Sequence, residues 1–431
     1  MENRGVAVKR RTFLGGIALG GLAAVTGCAN RRAKPRPSLA NARVVVLGGG
    51  YAGATAARQL KRIDPTLKVT LIERNRYYLS CPGSNEVIAS LRRSKDLRHD
   101  YKALIQRHAI DFIAAEATAV DVPGRTVRFA DGSKVPYDRL ILAPGIDFRW
   151  DAIQGYDEAA SLLAPHAWKA GPQTALLRRR LRGMPNGGVV VIVVPDNPYR
   201  CPTAPYERAS LMAYFLSRYK PRSKVLVLDA KAEFVEQGLF QQGWRELYPG
   251  MVEWLSCRRE GSLRRVDAAQ RVVHTEFGRH RADLLNVIPP QQAGRLAQLA
   301  GLSDASGWCP VDPRSFESTL APGVHVIGDA CAAEPMPKSA FAANAQAKVC
   351  AAAVVALLAD REVGIPALSD QCYSFLSPDE AISSSGVYTY SANEKRLVAT
   401  SSGETPRNGD RRREARLARD WELLFTRDVF G

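Results

Sequence analysis

The stretch Arg43-Val44-Val45-Val46-Leu47-Gly48-Gly49-Gly50-Tyr51-Ala52-Gly53 decides the fold of this chain. A short apolar run ends in glycines spaced Gly48-x-Gly50-x-x-Gly53, the pattern of a strand-to-helix turn that holds a dinucleotide. Gly48 makes the tight turn, Gly50 lets the backbone approach a pyrophosphate, and Gly53 lets the helix press against the strand. A helical pattern continues through Leu60, so a helix N-terminus faces the phosphates. A second strand over 68–72 leads into Glu73, where a carboxylate would take ribose hydroxyls. Strand, glycines, helix, strand and acid in this order predict a dinucleotide-binding domain, which glycines alone would not.

Two later segments choose FAD. Tyr137-Asp138-Arg139-Leu140-Ile141-Leu142-Ala143-Pro144-Gly145 resembles the Ala-Thr-Gly strand and turn of flavoproteins that bind two dinucleotides, with Pro144 in place of the threonine. Val324-His325-Val326-Ile327-Gly328-Asp329-Ala330 resembles their closing strand, whose aspartate binds the ribityl chain. The middle of the chain departs from that class. A second buried strand over 188–194 runs into Pro195-Asp196-Asn197-Pro198-Tyr199-Arg200-Cys201-Pro202 where a second glycine turn belongs. Side chains, and prolines without an N–H, crowd the place where amides would cradle a pyrophosphate, which disfavours a nicotinamide nucleotide.

Composition bounds the remaining choices. With 431 residues, 46% of them hydrophobic and 24% charged, the chain is long enough for two or three globular domains and is neither disordered nor fibrous. Its first 28 residues read as an address: Lys9-Arg10-Arg11-Thr12-Phe13-Leu14 precedes a moderately apolar run over 15–25, the form of a twin-arginine signal. That run is too short to span a bilayer. Val25-Thr26-Gly27-Cys28 also has the form of a lipobox; if it is processed, Cys28 and the basic linker 31–37 tether the chain to the membrane, and if not it is free in the periplasm. A net charge of +17 in an exported protein suits an acidic partner or anionic lipid, or simply a solvated basic surface, better than nucleic acid. Eight cysteines are too few for a disulfide scaffold, and no Cys-x-x-Cys or haem-attachment motif is present, so no haem or metal site is expected on this chain.

From Arg43 to Gly431 the sequence resembles the flavoprotein subunit of flavocytochrome c sulfide dehydrogenase, in the pyridine nucleotide-disulfide oxidoreductase superfamily. The residues that carry the likeness are Tyr77-Tyr78-Leu79-Ser80-Cys81-Pro82-Gly83-Ser84-Asn85-Glu86-Val87-Ile88, Tyr199-Arg200-Cys201-Pro202 with Pro205-Tyr206-Glu207-Arg208-Ala209-Ser210, Glu334-Pro335-Met336-Pro337-Lys338-Ser339, Asn344-Ala345-Gln346-Ala347-Lys348, Gln371-Cys372-Tyr373-Ser374 and Asp428-Val429-Phe430-Gly431. Ala89-Ser90 stand where a glycine pair often follows the first of these. The resemblance implies that Cys81 carries FAD covalently through its 8-methyl group, that Cys201 and Cys372 form a redox-active disulfide beside the flavin, and that Lys338 lies near the flavin pyrimidine. Glu207, six residues after Cys201, is the candidate for proton handling there, with a surface or helix-capping role as the other reading. Cys257, Cys309, Cys331 and Cys350 receive no role, and Cys350, in an alanine-rich helical pattern, reads as a small buried residue.

The expected architecture is α/β: two Rossmann-like domains plus a smaller C-terminal α+β domain. The FAD-binding domain is discontinuous, from residues 41–150 and 281–360, and 151–280 forms a nucleotide-like domain that has lost its cofactor. Residues 361–431 supply Cys372 and a docking surface. The implied function is periplasmic oxidation of hydrogen sulfide, or of a persulfide, to sulfane sulfur or polysulfide. Electrons would pass to the haem of a separate c-type cytochrome subunit in a heterodimer. Two rivals are a sulfide:quinone reductase and a non-enzymatic partner that reactivates a sulfur-carrier complex. The charged residues Arg407, Asp410, Arg411, Arg412, Arg413 and Glu414 tell against a membrane plate, and Cys81, Cys201 and Cys372 against simple binding.

Overall fold

The computed structural model describes residues 39–431, so the expected signal segment and Cys28 lie outside the described residues. Strand Arg43–Leu47 runs inside an eight-stranded sheet, flanked in parallel by Lys68–Ile72 and Arg139–Leu142. Val44, Val45 and Val46 are buried, as a parallel strand covered on both faces requires. Asp111–Ile113 extends the parallel set on one side and Val324–Val326 on the other, so the sheet unites distant parts of the chain and the dinucleotide domain is discontinuous.

Helix Tyr51–Ile63 starts at Gly50 without a side-chain cap or an acid in its first turn, which leaves its leading amides open; Lys61 and Arg62 suit its far end. Half of its buried residues are alanine, and it lies along helix Ala340–Leu358, whose own alanines with Cys350 allow a close approach. Cys309, Cys331 and Cys350 are all buried, and Cys257 is partly exposed.

A second sheet, Val252–Leu255, Lys224–Asp229, Val189–Val194 and Leu284–Val287, is wholly parallel. Its last strand lies past residue 281, where the sequence reading returned the chain to the FAD domain. A four-residue buried run such as Leu284-Leu285-Asn286-Val287 fits either sheet equally well by pattern, and only pairing assigns it. The chain leaves and re-enters the first domain through an antiparallel ribbon, Ile146–Phe148 against Gln291–Ala293.

Strands Ala367–Ser377, Glu380–Ser391 and Arg396–Glu404 form an antiparallel sheet, followed by helix Arg411–Phe430, whose Asp410 cap accepts from the amides of Arg412 and Arg413. The closing residues are fastened back to the dinucleotide domain. Phe430 stacks on His99 and Tyr78, and Asp428 takes Lys348 at 2.6 Å and Asn344 at 3.2 Å.

A side chain at Gly53 would place its Cβ 1.8 Å from the Gly48 carbonyl oxygen, so the dinucleotide turn itself would have to move. Gly53→Ala should lower the melting temperature by several degrees and reduce the flavin-to-protein absorbance ratio of the purified protein. Full flavin content with unchanged melting would contradict this packing.

Candidate active site

Two cavities meet in the protein. The larger, about 1120 Å³, opens over the glycine turn. Gly48, at φ +104, has no room for a side chain against the Ala143 carbonyl, and a Cβ on Gly50 would touch the Tyr78 ring. Glu73 sits at the cleft wall, its carboxylate accepting from the amides of Gly49 at 2.9 Å and Asn75 at 3.0 Å. Asp329 lines the far side, 3.6 Å from the Arg200 guanidinium, and burial raises its pKa while Arg200 opposes the shift. Helix Ala340–Leu358 also points its N-terminus at the cleft: Ala340 and Ala343 line it, Ser339 caps the helix, and no acid sits in the first turn to neutralise its positive end. Two helix N-termini, an acid at the ribose position, a second acid and a turn that only glycine satisfies make a cradle whose residues fit FAD.

The smaller cavity, about 120 Å³, is lined by Cys81, Cys201, Glu207 and Cys372 among others. Cys81, Pro82, Arg200, Cys201 and Ala340 line both spaces and form the wall between them. Cys81 follows strand Tyr77–Leu79, on a loop turned by Gly83 at φ +82 into helix Ser84–Ile88. Cys201 has left-handed backbone, φ 56, and its amide donates to the Lys338 carbonyl at 2.7 Å just ahead of helix Ala204–Tyr219. Cys372 lies on strand Ala367–Ser377 and donates to Asp370 at 3.4 Å. Both are free thiols in this structure. Burial pushes both thiols up; for Cys201 the neighbouring Arg200 guanidinium pulls the other way, and for Cys372 the neighbouring Asp370 adds to the rise.

Glu207 is recessed into the cavity wall and is neither a surface nor a capping residue. Its carboxyl accepts from the Phe375 amide at 3.0 Å and from Asn85 Nδ2 at 2.7 Å, and burial pushes its pKa up to about 7 despite those bonds. Lys338 lies close enough to Asp329 at the cleft to oppose the rise in its pKa. Its Nζ donates to the Cys331 carbonyl at 2.7 Å and lies 3.9 Å over the Trp308 ring.

The cation in the wall is Arg200, which sequence reasoning quoted but did not assign; its neighbour Cys201 drew the attention. Arg208 was missed in the same way. Buried beneath the small cavity, it donates to Asn85, Asn286 and the carbonyls of His166 and Ala167, at 2.7 to 3.0 Å. In the middle domain, Asp229 stands where an acid would take a second ribose. It is instead buried, bonded to Lys231 at 2.6 Å, to Trp254 at 2.9 Å and to the Tyr206 hydroxyl, with Phe234 stacked on Tyr206.

Comparison with known proteins matches three segments of the chain. Residues 42–182 match the pyridine nucleotide-disulphide oxidoreductase family, 174–289 the central region of the sulfide dehydrogenase (flavocytochrome c) flavoprotein chain, and 365–430 the flavin-binding region of flavocytochrome c sulphide dehydrogenase. The flavoprotein chain of that enzyme from Chlorobaculum thiosulfatiphilum is 49% identical over 45 residues, 10% of this chain and 94% of the known relative's sequence. The sulfide-quinone reductase of Aquifex aeolicus is 30% identical over 184 residues, which cover 42% of this chain and 41% of that enzyme. The solved structure of the Aquifex aeolicus sulfide:quinone oxidoreductase superposes with a TM-score of 0.71 at 19% identity, over 90% of this chain and 91% of that one, a likeness of fold.

Two outcomes follow from the buried network. Arg208→Met strands three acceptors, Asn85 Oδ1, Asn286 Oδ1 and the Ala167 carbonyl, and should cost on the order of 3 kcal/mol, read as a lower urea midpoint at unchanged slope. Because the Glu207 carboxyl rises from its ordinary 4.5 to about 7 on folding, the folded state holds a proton that the unfolded state has lost between those values, and stability falls as pH rises through that window. Glu207→Gln removes this slope. Relative to the parent, the variant should therefore gain stability from about pH 5 to about pH 7 and level off above.

Proposed function

The chain belongs to the flavocytochrome c sulfide dehydrogenase flavoprotein family, FAD-binding sulfide oxidisers, and on that premise we propose that it oxidises hydrosulfide to sulfane sulfur and delivers the electrons to a c-type cytochrome on a separate chain. The observation that carries this reading is the shared wall: Cys201 and Arg200 face the FAD cleft on one side and the cavity holding Cys372 and Glu207 on the other.

In the oxidised enzyme Cys201 and Cys372 form a disulfide. Hydrosulfide attacks Cys372; its sulfur forms a new S–S bond, the Cys201–Cys372 bond breaks, and Cys201 leaves with the electron pair as a thiolate. Arg200 beside Cys201 supports this direction, since a guanidinium favours the thiolate, and Asp370 beside Cys372 disfavours charge there. The persulfide then stays in the small cavity and the thiolate faces the cleft. Glu207, near neutral pKa, holds or releases a proton at its carboxyl as the sulfur species change charge. FAD, when bound, supplies the acceptor that takes up an electron pair and releases it singly. Covalent attachment at Cys81 is supported by that thiol's place on a loop lining both spaces. Export to the periplasm by the twin-arginine route, with Cys28 as an optional lipid tether, rests on the sequence of the first 28 residues. The haem-bearing partner is the heterodimer subunit.

A quinone is the second reading for the acceptor. The match to the Aquifex enzyme favours it, as do Leu417, Leu423 and Leu424, exposed among the arginines of the last helix.

Purified chain given sulfide and oxidised cytochrome c should reduce the haem; reduction of decylubiquinone with none of cytochrome would select the quinone instead. Yellow colour should remain in acid-precipitated protein if Cys81 holds the flavin. Cys201→Ser should lower sulfide oxidation about a hundred-fold or more while FAD stays bound. A variant that loses sulfide oxidation yet keeps full cellular function would leave the chain acting by protein contact alone.

A further inference from the structure

Oxidising hydrosulfide to sulfane sulfur releases one proton with each electron pair. The two oxygens of Glu207 already accept from Phe375 and Asn85, so a proton held there needs a way on to solvent.

The C-terminal sheet supplies a row of groups leading outward. Cys372 faces Ser384 across one strand pair and Ser384 faces Glu404 across the next, which puts all three side chains on one face of the sheet. At about 4.8 Å per strand the row runs roughly 10 Å from the cavity to Glu404, which is exposed. Glu236 lies beside this row. It occupies the N-cap position of helix Gln237–Leu247 in left-handed backbone, φ 61, is only 4% exposed, and among the described residues neither of its carboxyl oxygens has a hydrogen-bond partner. Ser384 stands close enough to lower its pKa without a well-aligned bond, Glu404 and Glu207 raise it, and Glu236 in turn raises that of Cys372. Arg407 approaches the same helix at Gly238, and Asp370 is the other carboxyl beside Cys372. Burial chiefly, with those two carboxylates, pushes Glu236 up to about 8. A strained backbone and an orphaned buried carboxyl both oppose folding, and a leucine would avoid the second cost.

We infer that Glu236 is a proton-relay carboxyl, carrying the proton released at the Cys201 and Cys372 cavity past Ser384 to Glu404 and out to water. The inference rests on the sulfide chemistry proposed above. In each transfer an O–H bond forms on the accepting group as the bond to that proton on the donor breaks, and the electrons leave separately by way of the cleft. Glu207 is the inner station and Glu404 the outer one.

The test uses full-length FAD-loaded protein in stopped flow, from about pH 6 to about pH 9, against sulfide. Glu236→Gln should bleach the flavin about ten-fold more slowly, with the rate's pH dependence near 8 lost, while reoxidation of dithionite-reduced protein by cytochrome c is unchanged. Glu236→Asp should restore part of the rate. Bleaching at the parental rate across the whole pH range overturns the relay. If the Gln variant does not fold, Glu404→Gln should still slow bleaching, about three-fold, and an unchanged rate there also overturns it. A parent protein that sulfide never bleaches defeats the preceding reading instead. The relay is then judged by infrared spectra, where a protonated-carboxyl band should disappear between about pH 7 and 9 in the parent and be missing from Glu236→Gln; no such band overturns it.

Discussion

One buried guanidinium holds the two halves of the site in register. Among the described residues no carboxylate bonds Arg208, and burial brings its pKa down to about 9, so it stays charged at neutral pH. Its charge is compensated by neutral acceptors drawn from different parts of the chain: Asn85 after the Cys81 loop, two carbonyls at 166 and 167, and Asn286 in the second sheet. Such a network is stable only when every member is satisfied. Asn85 also donates to Glu207 and to the Ala204 carbonyl, and Asn286 donates to the carbonyls of Pro165 and His166. The helix that starts after Cys201 is therefore locked to the loop that carries Cys81, although 120 residues separate the two thiols in sequence.

That lock gives the site two sides with different chemistry. The cleft side has helix N-termini and Arg200, a positive environment suited to phosphates and to a reduced, anionic cofactor. The cavity side has the Glu207 carboxyl, which burial pushes toward neutral pKa, as it does that of Glu236 beyond the lining. Electrons and protons thus have separate directions to leave in, one across the wall and one along the C-terminal sheet. In the middle domain Asp229 is paired with Lys231 beside the stacked Tyr206 and Phe234, and Cys201 occupies the turn that follows strand Val189–Val194.

How much of this was legible depends on range. The glycine turn, Glu73 and the closing Asp329 are readable because strand, turn and helix are local structures with residue types that backbone geometry demands. Lys338 and Arg200 show the limit. Both were visible as cations in motifs, but their contacts are set by tertiary packing: Lys338 bonds the Cys331 carbonyl and lies over the Trp308 ring, and Arg200 lines the wall between the two cavities. Glu236 carried no signal at all, since a glutamate before an amphipathic helix ordinarily reads as a cap or a surface residue.

The sequence by itself determined that a dinucleotide fold begins at Arg43, that no second glycine turn exists, and which cysteines were worth watching. These follow from short-range sterics, where a missing Cβ or a proline leaves one outcome open. Only the tertiary structure decided that Cys201 faces both cavities, that Leu284–Val287 joins the second sheet, and that Glu236 is buried. Those facts depend on which distant surfaces meet and on how much water they exclude. Burial, which raises the pKa of Glu207, Glu236, Asp329 and Asp370, is a property of that packing rather than of any residue.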